Sequence, residues 1–186
     1  MDLLFLLGAA QGLFLALVLA TRPHNLLPNR LLAALLLVFS VDLAMAVYHA
    51  TEASTRYPAL IGLDMPIAFL YGPLLYLYVH TLTAERPALC RSDAAHFVPF
   101  GLLVLFLLPF FVRPGAEKLM LMQHPEGAFQ TEAMGVVNPF KLLHGGVYLG
   151  LVGLRLRRHQ RRIRDAFSAL EHRTLRWLRN LTLGMG

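Results

Sequence analysis

Long apolar stretches alternate with short polar segments along most of the chain. Each stretch approaches the roughly 20 residues that a helix needs to cross a hydrocarbon layer about 30 Å thick. Proline, glycine, asparagine and charged residues, which favour turns, occupy the segments between them. The five stretches are residues 3–20, 31–48, 65–82, 97–112 and 136–154. This pattern predicts an all-α fold, a polytopic transmembrane helical bundle with about five complete spans.

The composition favours a membrane protein over a soluble helical bundle. Hydrophobic residues make up 56% of the chain and charged residues 15%, with a mean hydropathy of +0.55. Soluble domains contain about 25% charged residues, so the chain is too apolar for that class. The first stretch follows Asp2 rather than the basic residues of a signal peptide, and we therefore expect it to be retained as a span.

The distribution of basic residues predicts the orientation of the spans. If the five stretches alternate in direction, 13 of the 17 lysines and arginines fall on one side. The positive-inside rule assigns that side to the cytoplasm. We expect a multi-pass protein of the cell inner membrane, with its N-terminus outside and its basic C-terminal segment in the cytoplasm. The four residues on the outer side are Arg56, Arg113, Lys118 and Lys141.

Small residues and one proline predict how the helices pack. Gly8 and Gly12 begin a row of small residues four apart, which permits close approach by another helix. Gly146 and Gly150 form a comparable row in the fifth stretch. The rows favour packing within the chain, and a homodimer is the alternative use of the same faces. Pro73 removes a backbone donor in the third stretch, so a kink is expected there.

Polar side chains inside the apolar stretches are the candidates for sensing a ligand. An ionised carboxylate inside a membrane needs a partner, so Asp42 is the most unusual residue of these stretches. Three roles are open for it: a structural clamp between helices, a ligand or proton site, or a residue at the membrane interface. Lys141 and His144 share a helix face and could together line an outward-opening pocket. The alternative is that Lys141 extends to the outer membrane interface and His144 forms a hydrogen bond to a neighbouring helix. Tyr71 and Tyr78 share a face of the third stretch, where packing or a membrane-boundary role is the alternative to ligand contact. The candidate partners of Asp42 are Gln11, Lys141, His144 and the tyrosines of the third stretch.

Metal-binding and catalytic patterns do not occur in the sequence. The chain has one cysteine, Cys90, and eight histidines that lack the spacing of metal ligands. Hydrolase and phosphate-cradling motifs are also missing from the sequence. We therefore expect no metal, no cofactor and no enzymatic activity.

A basic segment follows the fifth stretch and predicts contact with anionic lipid headgroups. Nucleic acid is the alternative anion, but the segment adjoins the bilayer. The chain thus divides into a five-span domain at 1–154 and a basic amphipathic cytoplasmic helix at 155–186. The residues expected at the membrane surface are Arg155, Arg157, Arg158, Arg161, Arg162, Arg164 and Trp177.

The last residues predict a further helix. Ser168 and Glu171 form a capping box, so a new helix is expected to begin near Ser168. No charged residue follows Arg179, as in the start of a sixth span. We expect the chain to be a fragment of a longer protein.

Several motifs resemble a known family. They are LGAAQGLFLA at 7–16, NRLLA at 29–33, LYGPLLYLY at 70–78, HFVPF at 96–100, SALE at 168–171 and LRWL at 175–178. In this order they look like the N-terminal membrane region of bacterial AraC-type transcriptional regulators. In that family a helical membrane bundle precedes a cytoplasmic domain with two helix-turn-helix motifs that binds DNA. The resemblance covers nearly the whole chain, lacks the DNA-binding domain and transfers no catalytic residue.

The resemblance implies a membrane sensor with an unknown ligand. The bundle would relay a signal to a DNA-binding domain that this chain lacks, so DNA is a partner only through that domain. The alternative is a small membrane transporter or a lipid-modifying membrane enzyme that uses Asp42, Lys141 and His144. A purely structural membrane partner is a third class.

Overall fold

The computed structural model describes residues 2–123 and 134–183, and beyond residue 165 it describes the backbone alone. These residues form helices and turns without a β-strand, which confirms the predicted all-α class. Two 3-10 helices, Pro58–Leu60 and Arg91–Phe97, lie between the α-helices. The α-helices in the described residues are Asp2–Thr21 (α1), Leu26–Ala50 (α2), Ala53–Arg56 (α3), Ala68–Leu82 (α4), Val98–Phe111 (α5), Gly115–Gln123 (α6) and Met134–Leu183 (α7).

Three helices among the described residues are long and apolar enough to cross a membrane. They are α1, α2 and the continuous helical stretch Arg91–Phe111. Helix α4 is apolar but shorter, because residues 61–67 form turns where helix was predicted from residue 65. The fifth predicted stretch lies in the first part of α7. The number of five spans, with the start of a sixth, stays a prediction.

The helix expected to begin near Ser168 is not a separate element. Helix α7 continues without a break from Met134 to Leu183, so Ser168 lies in a helix interior rather than at a cap. Alanine, leucine, arginine and glutamate, which favour the helical conformation, surround this position. Their propensity continues the helix where the capping box alone would start a new one.

Side-chain to backbone hydrogen bonds define two of the connections. Asn25 adopts a left-handed conformation, which asparagine tolerates, and precedes α2. The Asn29 side chain donates to the carbonyl of His24 at 2.6 Å and closes the turn between α1 and α2. The backbone N–H of Cys90 donates to the Asp93 carboxylate at 2.8 Å, so the helix Arg91–Phe97 starts there.

Helix α1 packs against α2 through small residues. A side chain at Gly12 would overlap the Ser40 hydroxyl, and a Cβ at Gly8 would lie 3.2 Å from Leu43. Ala16 is the buried residue of this helix, and most of its leucine and phenylalanine side chains are exposed. Such a surface is unfavourable in water and suits a hydrocarbon environment.

Helix α4 lies between α2 and α7. Leu74 and Leu77 on one face of α4 form a buried cluster with Leu31 and Leu35 of α2. Positions 69, 72 and 76 form another face, which packs against α7. Helix α4 therefore connects two parts of the bundle, and both candidate sites described below involve it.

Connecting segments meet at two opposite ends of the bundle. At the first, called the Lys118 end, the Lys118 ammonium donates to the carbonyl of Ala59 at 3.0 Å. Tyr48 at the end of α2 packs there against Phe110 at the end of α5. At the second, called the Arg155 end, Arg155 Nε lies 3.4 Å from the Thr83 hydroxyl. Helices α2, α4 and α5 therefore alternate in direction between the two ends.

Candidate functional site

The first candidate site is the Asp42–Tyr71 pair, which joins α2 to α4. The Tyr71 hydroxyl donates to Asp42 Oδ2 at 2.7 Å, a distance typical of a hydrogen bond to a carboxylate. The Phe39 ring lies 4.6 Å from the Tyr71 ring, and both members of the pair are partly buried. Among the candidate partners of Asp42, the structure supplies a tyrosine of the third stretch. This geometry supports a clamp between two helices, while a role in ligand sensing stays a prediction.

The second candidate site is a group of rings between α4, the helix Arg91–Phe97 and α7. We call it the histidine–tyrosine cluster, and it consists of Phe69, Tyr76, His96, His144 and Tyr148. The Tyr148 hydroxyl lies 2.9 Å from His96 Nδ1, and its ring centroid lies 4.8 Å from that of His144. The Tyr76 ring lies 4.9 Å from the His96 ring. Tyr148 is buried and contacts three of the other four residues.

Gly72 allows α7 to approach α4 closely at this cluster. A Cβ at Gly72 would lie 2.6 Å from Cδ2 of Tyr148 and 2.9 Å from its Cβ. The nearest atoms include the Cβ of Tyr148, so a rotation of the side chain could not clear the overlap. The absence of a side chain at Gly72 therefore sets the distance between the two helices.

Three buried histidine nitrogens have no hydrogen-bond partner in the described part of the chain. They are Nε2 of His144, in the cluster, Nδ1 of His80 on α4, and Nδ1 of His49 near the end of α2. The His144 ring lies between Phe69, at 4.9 Å, and Tyr148. An unpaired buried polar atom costs about 1–3 kcal/mol, so a polar group of a ligand would be stabilised by pairing with it.

Lys141 does not join this cluster. It is exposed, whereas His144 is buried against α4, and an outward-opening pocket lined by both residues stays a prediction. Tyr78 packs against the leucine cluster between α2 and α4. Asp42, Lys141 and His144, the set considered for a transporter or an enzyme, have three different surroundings.

The described residues do not form the close packing predicted for Gly146 and Gly150. Among them, a Cβ at either position would meet no atom within 4 Å apart from its own turn of helix. Helix α7 packs on α4 through His144 and Tyr148, and the residue without a side chain at this contact is Gly72 of α4, against which Tyr148 packs. The spacing of small residues identifies a helix face without large side chains, but it does not show which face meets a neighbouring helix.

Pro73 is buried inside α4.

The arginines predicted at the membrane surface are mostly exposed. Arg155 is half-buried and contacts Thr83, and the Trp177 side chain lies outside the described residues. Arg157, Arg158, Arg161, Arg162 and Arg164 are exposed.

Gly72, Tyr76 and His96 were not among the residues that the sequence singled out as functional. All three lie in the motifs at 70–78 and 96–100, where a histidine and tyrosines interrupt apolar residues. These polar rings within apolar motifs could have marked the residues as functional candidates. The contact between His96 and a tyrosine 52 residues away could not be read from the sequence, because only the folded structure brings the two together. Within the described residues, no group of three or more histidine, cysteine or acidic side chains is arranged to hold a metal ion.

Comparisons with known proteins assign no family to the chain. No protein-family model, no curated protein and no solved structure matches it. The all-helical class and the three long apolar helices are compatible with a membrane protein.

Proposed function

We propose that this chain is the membrane sensor region of a transcriptional regulator. It would relay a signal to a cytoplasmic DNA-binding domain encoded after residue 186. The observation that carries this proposal is the continuity of α7, which joins the histidine–tyrosine cluster to Leu183. At about 1.5 Å per residue, the part beyond Tyr148 extends about 50 Å as a helix. The resemblance to AraC-type regulators suggests the kind of output domain.

A relay requires two arrangements of the bundle with different affinities for the signal. The contact between α4 and α7 is the element proposed to change. Tyr148 packs on Gly72 and lies beside His96, so a movement of α7 alters both contacts together. A ligand group that pairs with Nε2 of His144 would favour one arrangement over the other. The basic segment of α7 would carry the movement to the attached domain.

We also propose five spans, with the Arg155 end in the cytoplasm of a bacterial inner membrane. Two observations support this arrangement. Segments expected on the same side of the membrane meet at the Lys118 end and at the Arg155 end. Most basic residues belong to the segments of the Arg155 end, as the positive-inside rule requires. Helix α4 with its preceding turns and the first part of α7 would complete the five spans.

Cys90 provides a measurement of this orientation. It is the single cysteine of the chain, is exposed, and precedes the helix Arg91–Phe97 near the Arg155 end. We expect a membrane-impermeant maleimide to leave Cys90 unlabelled in intact spheroplasts and to label it in inverted inner-membrane vesicles. The matched control combines Cys90→Ser with Glu52→Cys at the exposed position 52, near the Lys118 end. Position 52 in this control should be labelled in intact spheroplasts and stay unlabelled in inverted vesicles. Labelling of both positions from the same side would contradict the proposed spans.

The relay is tested by a break in α7 within the complete protein. Gln160 is exposed on α7 beyond the proposed membrane segment. Gln160→Pro should cost about 3 kcal/mol of helix stability, because proline removes a backbone hydrogen bond and clashes with the preceding turn. Deletion of the gene identifies the transcripts that the protein regulates. We expect these transcripts to lose their regulation in the Gln160→Pro variant. Gln160→Ala is the control and should keep it.

Two results would contradict the proposal in distinguishable ways. Equal transcript levels with Gln160→Pro and Gln160→Ala would show that α7 does not act as a continuous relay. A reading frame without helix-turn-helix motifs after Gly186 would contradict the class of regulator itself.

A further inference from the structure

A cavity of about 170 Å³ lies at the Arg155 end, between the last two turns of α4 and the middle of α7. Tyr76 of α4 and Thr83, the residue after α4, form one wall, and Leu151 and Leu154 of α7 contribute apolar surface. The basic residues of its lining occur at intervals that place them on one face of α7. They are Arg155, Arg158, His159 and Arg162.

The lining of this cavity contains positive charge without a carboxylate. Glu85 lines an adjoining cavity next to Arg162, but it is not among the residues around this one. Arg155 is half-buried, and Thr83 lies 3.4 Å from its Nε. Repulsion between guanidinium groups is screened less beside apolar surface than in water. An anion in the cavity would offset that repulsion.

We propose that this cavity binds a phosphate group through Arg155, Arg158 and Arg162. Guanidinium groups are planar and donate pairs of hydrogen bonds that match the oxygens of phosphate. The apolar surface of Leu151 and Leu154 suits a phosphate carried by a lipid, and the opening of the cavity also suits free phosphate. The site would bind phosphate whether or not the chain relays a signal to a DNA-binding domain.

An occupied cavity would contact the histidine–tyrosine cluster. Tyr76 lines the cavity, and its ring also lies 4.9 Å from His96 and 6.2 Å from Tyr148. A phosphate held between α4 and α7 would therefore stabilise the contact between these helices. The site differs from general attraction to a charged surface, because it depends on particular arginines and on open space between the helices.

Paired charge variants of the full 186-residue chain test this difference. The cavity variant combines Arg158→Gln with Arg162→Gln, and the control combines Arg157→Gln with Arg161→Gln. Both remove two positive charges from the same helix, but the control residues do not line the cavity. Inorganic phosphate is titrated onto each protein in phosphatidylcholine nanodiscs by calorimetry. A second arm counts phosphatidic acid molecules retained from mixed vesicles by native mass spectrometry.

The cavity variant should lose about tenfold or more in phosphate affinity or phosphatidic acid retention, because it lacks two charge-assisted partners. The control should change by less than about threefold, since Arg157 and Arg161 do not line the cavity and attract the anion only over a longer, screened distance. Binding of inorganic phosphate supports the site for the free ion, and retention of phosphatidic acid alone supports it for a lipid headgroup. Equal losses in the two variants, or no binding of either probe to the unaltered chain, would overturn the proposal.

A third variant separates the cavity from its charge. Leu151→Phe keeps every arginine and fills part of the space between α4 and α7. It should weaken binding of the same probe while the circular dichroism of the helices stays unchanged. Binding as tight as in the unaltered chain would overturn the assignment to this cavity.

Discussion

Gly72→Leu is expected to separate α7 from α4 and to lower the free energy of unfolding by about 3 kcal/mol or more. A Cβ at this position already lies within 2.9 Å of three atoms of Tyr148, and leucine adds three more carbon atoms. The cluster that includes His144 and His96 depends on the same contact. Unfolding of the purified chain in mixed micelles, followed by circular dichroism as sodium dodecyl sulfate is added, measures the change.

The control for this variant is Gly146→Leu on α7. A Cβ at Gly146 would meet no atom of another helix in the described ranges within 4 Å, so the larger side chain has open space there. Leucine also favours the helix over glycine by up to about 1 kcal/mol. Gly146→Leu should therefore be neutral or slightly stabilising. A similar loss of stability in both variants would show that close approach at Gly72 does not hold α7 in place.

Tyr71→Phe is expected to destabilise the chain by about 2–3 kcal/mol, more than Asp42→Ala does. The phenylalanine variant keeps the partly buried carboxylate but removes the hydroxyl that donates to it at 2.7 Å. An ionised carboxylate without a partner costs about 2.5–3.5 kcal/mol near the centre of a membrane. Asp42→Ala removes the charge and leaves the neutral Tyr71 hydroxyl without its acceptor. An unpaired buried group costs about 1–3 kcal/mol, and this residue is only partly buried, so a loss near the lower end of that range is expected.

The same unfolding measurement tests this order with two further variants. Tyr71→Phe combined with Asp42→Ala should be more stable than Tyr71→Phe alone, because the unpaired carboxylate is gone. Tyr78→Phe is the matched control on α4, since the described residues provide no hydrogen bond for its hydroxyl, and it should be nearly neutral. If Tyr71→Phe proved no worse than Asp42→Ala, the pair would not act as a clamp for a desolvated carboxylate.

Helix formation was predictable because it depends on local properties of the chain. The apolar stretches at 3–20, 31–48 and 97–112 correspond to α1, α2 and the helical stretch that ends at Phe111. The need of Asp42 for a partner also followed from the cost of a charge in an apolar stretch, and a tyrosine of the third stretch was among the candidates. The turns before α4 were less predictable, because their apolar residues resemble those of a helix.

Lys118 illustrates the limit of reasoning from charge. The sequence assigned Lys118 only to the outer side of the membrane, whereas in the structure this residue is buried, with only 3% of its surface exposed. The ammonium donates to the carbonyl of Ala59 and lies 5.6 Å from the centre of the Phe110 ring. These partners come from a distant turn and from the end of α5, so the folded arrangement brings them to the lysine.

Hydropathy and charge are properties of single residues, and along this chain they sufficed for the helical class and for a proposed orientation. The tertiary structure decided which small residue mattered, since Gly72 contacts Tyr148 whereas Gly146 meets open space. It also placed His96 beside Tyr148 and gathered three arginines around one cavity. Such contacts depend on which helix faces dock. Many faces of this chain are apolar enough to dock, so the hydrophobic pattern alone could not choose among them.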